Sequence, residues 1–215
     1  LSTLPERVDV TIADPPYGQT SLEWDRWPNG WPRIMATVSL SLWCLGSLRM
    51  FLERVDEFDT WKFSQDIVWE KHNGSSAASD RFRRVHEQVA HFYCGQWENV
   101  YHVAPTTNDA TARAVRRKHR PPHWGDIGAS SYRSEDGGPR LMRSVLSVRS
   151  MHGTAENETQ KPEGIVAPLV EYACPPGGLI LSPFAGSGTD LLVAKRSGRR
   201  AIGIELREEQ CEVAA

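Results

Sequence analysis

The chain has 215 residues, 40% of them hydrophobic, and a formal net charge of −2. That length suits one domain with a sizeable core, and that charge excludes a uniformly basic nucleic-acid binder, so any nucleic-acid surface must be a local patch. Cys44, Cys94, Cys174 and Cys211 form no Cys-x-x-Cys pair, the histidines show no metal-ligand spacing, and no apolar run reaches membrane-spanning length, which argues against a disulfide scaffold, a metal centre and a membrane span.

Residues 8–13 read as a short buried strand, stopped by the prolines of Asp14-Pro15-Pro16-Tyr17. Residues 14–33 read as loop, 33–46 as helix, 48–52 as a strand and 55–64 as helix. Strands are expected at 67–71 and 87–93, separated by a polar loop at 73–76 and by Arg81, Arg83 and Arg84. Residues 101–150 differ in character, with few apolar runs, many Pro, Gly and Ser, and a basic cluster of Arg113, Arg116, Arg117, Lys118 and Arg120. Such charge asymmetry fits contact with phosphates, the bland reading being a solvated loop. Regular structure returns with a helix over 163–174, closed by Pro175-Pro176-Gly177-Gly178, and a buried strand at 179–181. A glycine loop then opens a helix at 190–197, and a strand over 201–205 and a helical tail from 207 follow. The chain starts at Leu1 and stops within that tail, which reads as a fragment or trimmed chain, ending before a third strand of this unit. Eight tryptophans are present; Trp24, Trp27, Trp31 and Trp124 lie in loop-like contexts and are expected mostly to fill core, with some stacking.

Two places carry chemistry. Asp14-Pro15-Pro16-Tyr17 sets a carboxylate, a carbonyl and an aromatic ring at the C-terminal edge of a strand, where open α/β sheets bind ligands. Two hydrogen-bond acceptors and a ring suit a planar group with an exocyclic amine, a nucleobase. The turn around Gly186-Ser187-Gly188 opens a helix, and Glu205 ends the next strand, where an acid commonly accepts bonds from ribose hydroxyls. The pattern is neither Gly-x-Gly-x-x-Gly nor a P-loop, so a nucleoside-containing cofactor other than a dinucleotide is favoured.

Asp14-Pro15-Pro16-Tyr17 together with Phe184-Ala185-Gly186-Ser187-Gly188-Thr189 resembles the amino-group DNA methyltransferases, and the motif order resembles their circularly permuted β class. Trp69-Glu70-Lys71-His72-Asn73, Arg81, His86-Glu87, Thr159-Gln160-Lys161-Pro162 and the run from Gly198 to Glu205 resemble further family segments in the same order. Three places depart from the family pattern: Ser182 stands where Asp is frequent, Asp190 where Thr is common, and Asn157-Glu158 precedes Thr159-Gln160-Lys161-Pro162 where His-Pro is frequent. The resemblance implies a Rossmann-like α/β fold with a mixed, mostly parallel sheet and flanking helices. Residues 1–100 would form the catalytic half, 101–150 a target-recognition insert, and 151–215 the cofactor-binding half of the same domain.

By the same resemblance, Asp14, Pro15, Pro16 and Tyr17 are the expected catalytic residues. S-adenosylmethionine is the expected cofactor, held by Asp14, Lys161, Ser182, Phe184, Gly186, Ser187, Gly188, Thr189 and Glu205. Arg81, Arg83, Arg84, Arg113, Arg116, Arg117, Lys118 and Arg120 are expected to grip DNA phosphates without reading sequence. Asp in the first motif position leans toward the N6 amine of a flipped adenine; N4-cytosine methylation and a catalytically silent DNA-binding protein of the same fold stay open. Double-stranded DNA is the expected partner, a homodimer and a restriction endonuclease are consistent with the family, and the expected location is the bacterial cytoplasm, the gene being bacterial or phage-borne.

Overall fold

The computed structural model describes residues 7–75, 79–117, 129–151 and 160–214. In chain order, β1 (Val10–Ala13) precedes helix α1 (Trp31–Ala36), β2 (Ser41–Gly46) and helix α2 (Leu48–Glu53). A 3-10 turn (Val55–Phe58) leads to a long hairpin of β3 (Lys62–Ser75) and β4 (Arg84–Tyr93). Four short strands come next: β5 (Thr106–Thr107), β6 (Arg113–Arg117), β7 (Ser130–Ser134) and β8 (Arg140–Leu141). Then follow β9 (Val145–Ser147), α3 (Glu163–Ala173), β10 (Leu179–Ser182), α4 (Thr189–Arg196), β11 (Arg200–Gly203) and α5 (Glu208–Ala214).

One compact unit holds the chain up to Val103 and from Ser144 onward; the other is Ala104–Arg143. The first unit is built on a seven-stranded sheet in the order β11-β10-β1-β2-β4-β3-β9. Neighbours are parallel except where β4 meets β2 and β3, so β4 alone runs against the rest. This is the mixed, mostly parallel sheet with flanking helices expected from the sequence. All four residues of β1 and of β10 are buried, as befits central strands covered on both faces. Alternation sends Val10, Ile12 and Ile180 into a core with Ile165, Leu169 and Val170 of α3 and Val193 of α4. Ala13, Leu179 and Leu181 face the opposite core with Trp31 and Met35 of α1, Met50 of α2, and Trp27 and Phe58. Trp27 and Trp31 thus fill core.

Several expectations are corrected. The helix expected over 33–46 is a short helix followed by a strand. Ser41–Gly46 is buried at every position, and a short apolar run carries no periodicity to separate a buried strand from a helix. Residues 48–52, expected as a strand, are helical because the Ser47 hydroxyl accepts from the Met50 backbone N–H at 3.0 Å and caps the turn. Residues 55–64 hold a single 3-10 turn before β3 begins at Lys62. Asn73, Gly74 and Ser75, expected as loop, extend β3, with Ser75 opposite Arg84. The second unit is narrower than the 101–150 insert, since Val145–Ser147 joins the main sheet beside Val68–Glu70. It holds two small antiparallel ribbons, β5 with β8 and β6 with β7. No helix of the described residues is long and apolar enough to cross a membrane.

Candidate active site at the β10–β1 edge

After β10 the chain winds through α4 to β11 on one side, and after β1 it winds through α1 to β2 on the other. The C-terminal ends of β10 and β1 are therefore the point where the winding reverses, the usual ligand crevice of such sheets. A cleft of about 350 Å³ opens there. Asp14, Pro16, Lys161, Phe184, Gly186, Ser187, Thr189 and Glu205 line it, together with Trp24, Asp190, Ile204 and Arg207. Most of the residues expected to bind a cofactor are thus brought together. Two are not: Ser182 is fully buried behind the cleft, and Gly188 lines a neighbouring depression at the start of α4.

Asp14 is held from both sides. The Tyr17 hydroxyl donates to its Oδ1 at 2.9 Å, and the Lys161 ammonium pairs with its Oδ2. Tyr17 also lies 3.4 Å from Glu87 Oε2, and Lys71 pairs with the other Glu87 oxygen. Burial pushes the Tyr17 phenol well above its ordinary value, and the charges of Asp14 and Glu87 push it further, so it stays a hydrogen-bond donor. Burial alone would lower the Lys161 pKa, but Asp14 and Glu87 outweigh it and raise the value. Burial likewise works to raise Glu87, and Lys161 and Lys71 override it and hold the carboxyl low. The result is an alternating cluster of two carboxylates, two ammonium groups and one phenol. Lys71 and Glu87 escaped the sequence reading as site residues, although both lie in segments that resemble the family.

Asp25 fixes the loop that carries Tyr17. Its carboxylate accepts backbone N–H bonds from Gly18 at 2.8 Å, Gln19 at 2.9 Å and Thr20 at 2.7 Å. Burial would raise its pKa, yet the hydrogen bonds from Thr20, Gly18 and Gln19 lower it. On the far wall, Glu205 accepts from Gly186 N–H at 2.8 Å and Arg207 N–H at 2.9 Å, and the Arg207 guanidinium lies 5.3 Å from the Trp24 ring centre. Phe184 packs edge-on against Trp31 with centroids 5.3 Å apart, which ties the glycine loop to the core.

The basic residues are dispersed. Arg81 pairs with Asp80, and Arg83 donates to the Gly74 carbonyl across the hairpin, so both are partly engaged. Arg84 begins β4. Arg113, Arg116 and Arg117 lie on β6 in the second unit, while Lys118 and Arg120 lie outside the described residues, as does Thr159.

A family model for N6 and N4 methyltransferases, described as DNA methylase, matches residues 8–215. The type II methyltransferase M.HinfI of Haemophilus influenzae is 25% identical over 248 aligned residues, covering 100% of this chain and 64% of the relative. M.XycI of Xanthomonas campestris pv. cyanopsidis, also a type II methyltransferase, is 29% identical over 158 residues, covering 73% of this chain and 44% of the relative. The chain therefore spans less than two thirds of the length of these curated relatives. Among solved structures, the M1.HpyAVI–SAM complex is similar with a TM-score of 0.63 at 21% identity, covering 97% of this chain and 88% of that one. The likeness extends to the whole fold.

Proposed function

The chain belongs to the N6/N4 family of DNA methylases, and from that premise we propose that it transfers a methyl group from S-adenosylmethionine to the N6 amine of adenine in DNA. The observation that carries this reading is the position of Asp14 at the β1 edge, on the same cleft as the glycine loop and Glu205.

The cleft fits such a cofactor by its donor set. Glu205 accepts the Gly186 and Arg207 backbone N–H groups and, at 3.4 Å, the Arg207 guanidinium, and a carboxylate accepts about four hydrogen bonds, which leaves room for a ribose hydroxyl. Phe184, Ile204 and Leu206 offer apolar surface for a purine ring. Lys161, Gly186, Ser187 and Thr189 complete the wall. When bound, S-adenosylmethionine supplies an electrophilic methyl group on a sulfonium.

The residues do the rest by positioning. An exocyclic amine is a poor nucleophile because its lone pair is delocalised into the ring. Asp14 and the Pro15 carbonyl each accept one amine hydrogen, which favours a pyramidal nitrogen with its lone pair free. Asp14 has capacity for this, since Tyr17 and Lys161 each occupy a different oxygen. Tyr17 flanks the base, and Pro16, whose nitrogen bears no hydrogen, offers no competing donor. Fixed acceptors work by orientation and electrostatics. The target base reaches such a pocket only by leaving the duplex stack. The unit Ala104–Arg143 is read as the target-recognition insert between the catalytic and cofactor-binding halves. Arg81, Arg83, Arg84 and the β6 arginines are read as phosphate contacts.

The same acceptor pair serves the N4 amine of cytosine, which is the second reading; Asp in the first motif position favours adenine. The test is incubation with S-adenosylmethionine and unmethylated DNA, digestion to nucleosides, and mass spectrometry. N6-methyladenine supports the reading. N4-methylcytosine keeps the mechanism and changes the base. Folded protein that yields neither removes the proposal.

A further inference from the structure

Asp190 is the cleft carboxylate that the foregoing roles leave unused. It sits in the first turn of α4, one residue after Thr189, and lines the cleft with Asp14, Lys161 and Glu205. Its hydrogen bond comes from the buried Ser182 hydroxyl, which donates to Oδ2 at 2.7 Å. The two departures within the glycine-loop motif, Ser182 and Asp190, are thus in direct contact. The other cleft carboxylates are matched by cations: Lys161 pairs with Asp14, and Arg207 lies 3.4 Å from Glu205. Arg26 also borders the cleft but is exposed and donates to the Glu23 carbonyl. Among the described residues a single hydroxyl donor leaves the Asp190 side chain well short of the roughly four bonds a carboxylate accepts. Burial accordingly pushes its carboxyl up to about 6, and Asp14 adds to the rise, against the lowering effects of Ser182 and Lys161. Among the described residues, then, Asp190 is the cleft carboxylate with no cation paired to it.

Resting on the cofactor reading above, we infer that Asp190 is the anionic anchor for the α-ammonium group of the cofactor's methionine portion, with Ser182 holding its carboxylate in place. A charge-assisted bond of this kind is stronger than a neutral one and is worth about a 10- to 100-fold change in affinity.

The experiment compares two neutral-sulfur ligands by calorimetry. S-adenosylhomocysteine carries the ammonium group, and methylthioadenosine lacks the whole amino-acid end. In Asp190→Asn, S-adenosylhomocysteine should bind about 10- to 100-fold more weakly than in wild type, and methylthioadenosine within about twofold of it. Equal losses for both ligands, or none for either, overturn the assignment. A loss seen with S-adenosylmethionine but not with S-adenosylhomocysteine also overturns it, by assigning the carboxylate to the sulfonium. Wild-type protein that binds none of the three removes the cofactor reading itself. The wild-type chain supplies an independent check that needs no variant. Affinity for S-adenosylhomocysteine should fall as pH drops through about 6, while methylthioadenosine affinity, which still feels Asp14, Lys161, Glu205 and Arg207, stays level. Parallel falls for both ligands overturn the inference.

Discussion

Lys161 and Asp14 are 147 positions apart in the chain, and the Lys161 ammonium nevertheless sits on the Asp14 carboxylate. The pairing depends on the sheet: β10 lies directly beside β1, and α3, which Lys161 precedes, packs over both. Their side chains are only 11% and 21% exposed, so the pair is weakly screened by water. In the proposed reaction Lys161 fixes which Asp14 oxygen lone pairs are left for the amine.

Lys161→Met should therefore lower kcat about 10- to 100-fold. The logic is that the Asp14 carboxylate without the Lys161 ammonium loses the contact that orients its free lone pairs. Cofactor affinity measured by calorimetry separates this from simple loss of binding. A kcat identical to wild type would remove Lys161 as a positioning residue.

That ion pair also marks the limit of what the sequence discloses. β1 and β10 were legible because each is an apolar run cut off by Pro or Gly, and the motif residues follow those strands directly. Asp14 and Glu205 were legible for the same reason. Lys161 on Asp14, and Lys71 on Glu87 beside Tyr17, arise from strand order, which local pattern does not encode. Ser41–Gly46 and Leu48–Glu53 were exchanged as helix and strand because both are short and apolar; the Ser47 cap between them decides the matter. Asp190 was visible only as an oddity until its contact with Ser182 gave it a neighbour.

Gly188 caps α4 with a φ of 79°, and a Cβ at this position would stand 2.8 Å from the Ala214 Cβ on α5. Left-handed backbone costs a non-glycine residue about 1–2 kcal/mol, and the close approach to Ala214 adds to that. Gly188→Ala should lower unfolding stability by about 1–3 kcal/mol in urea titration. Cofactor affinity should fall with it, since the same turn presents Ser187 and Thr189 to the cleft. Unchanged stability would mean that α5 moves aside and the turn relaxes at no cost.

His91 is fully buried on β4 among aromatic rings, with Trp43 4.5 Å and Tyr172 5.3 Å away between ring centres, and its Nε2 lies 2.9 Å from Ser41 Oγ. Burial, with a smaller effect of His102, lowers its pKa to about 3. The folded protein thus keeps His91 neutral where the unfolded chain, with a value near 6.5, takes up a proton. Stability due to this residue is complete above pH 6.5 and is lost as pH falls toward about 3. His91→Gln should flatten that slope, narrowing the stability difference between pH 7 and pH 4 by about 2–3 kcal/mol. Urea titrations at the two pH values read this directly. An unchanged difference would place the acid sensitivity on other groups.

The β6–β7 ribbon divides the basic cluster that the sequence suggests is one grip. In the register, Arg133 stands opposite Ala114 and Tyr132 opposite Val115. Side chains alternate along a strand, so Arg116 and Arg133 share one face, while Arg113 shares the other with Val115 and Tyr132. A two-stranded ribbon lying on a duplex presents one face to the phosphates, and the face without large apolar side chains suits that role. Arg116→Ala with Arg133→Ala should reduce the slope of log affinity for DNA against log salt by about 1.8, or about 0.9 for each phosphate no longer neutralised. Arg113→Ala should leave the slope within about 0.3 of wild type. The opposite pattern would turn the ribbon over, with the Val115 and Tyr132 face toward the DNA. Equal slopes in all variants would remove this ribbon from the DNA interface.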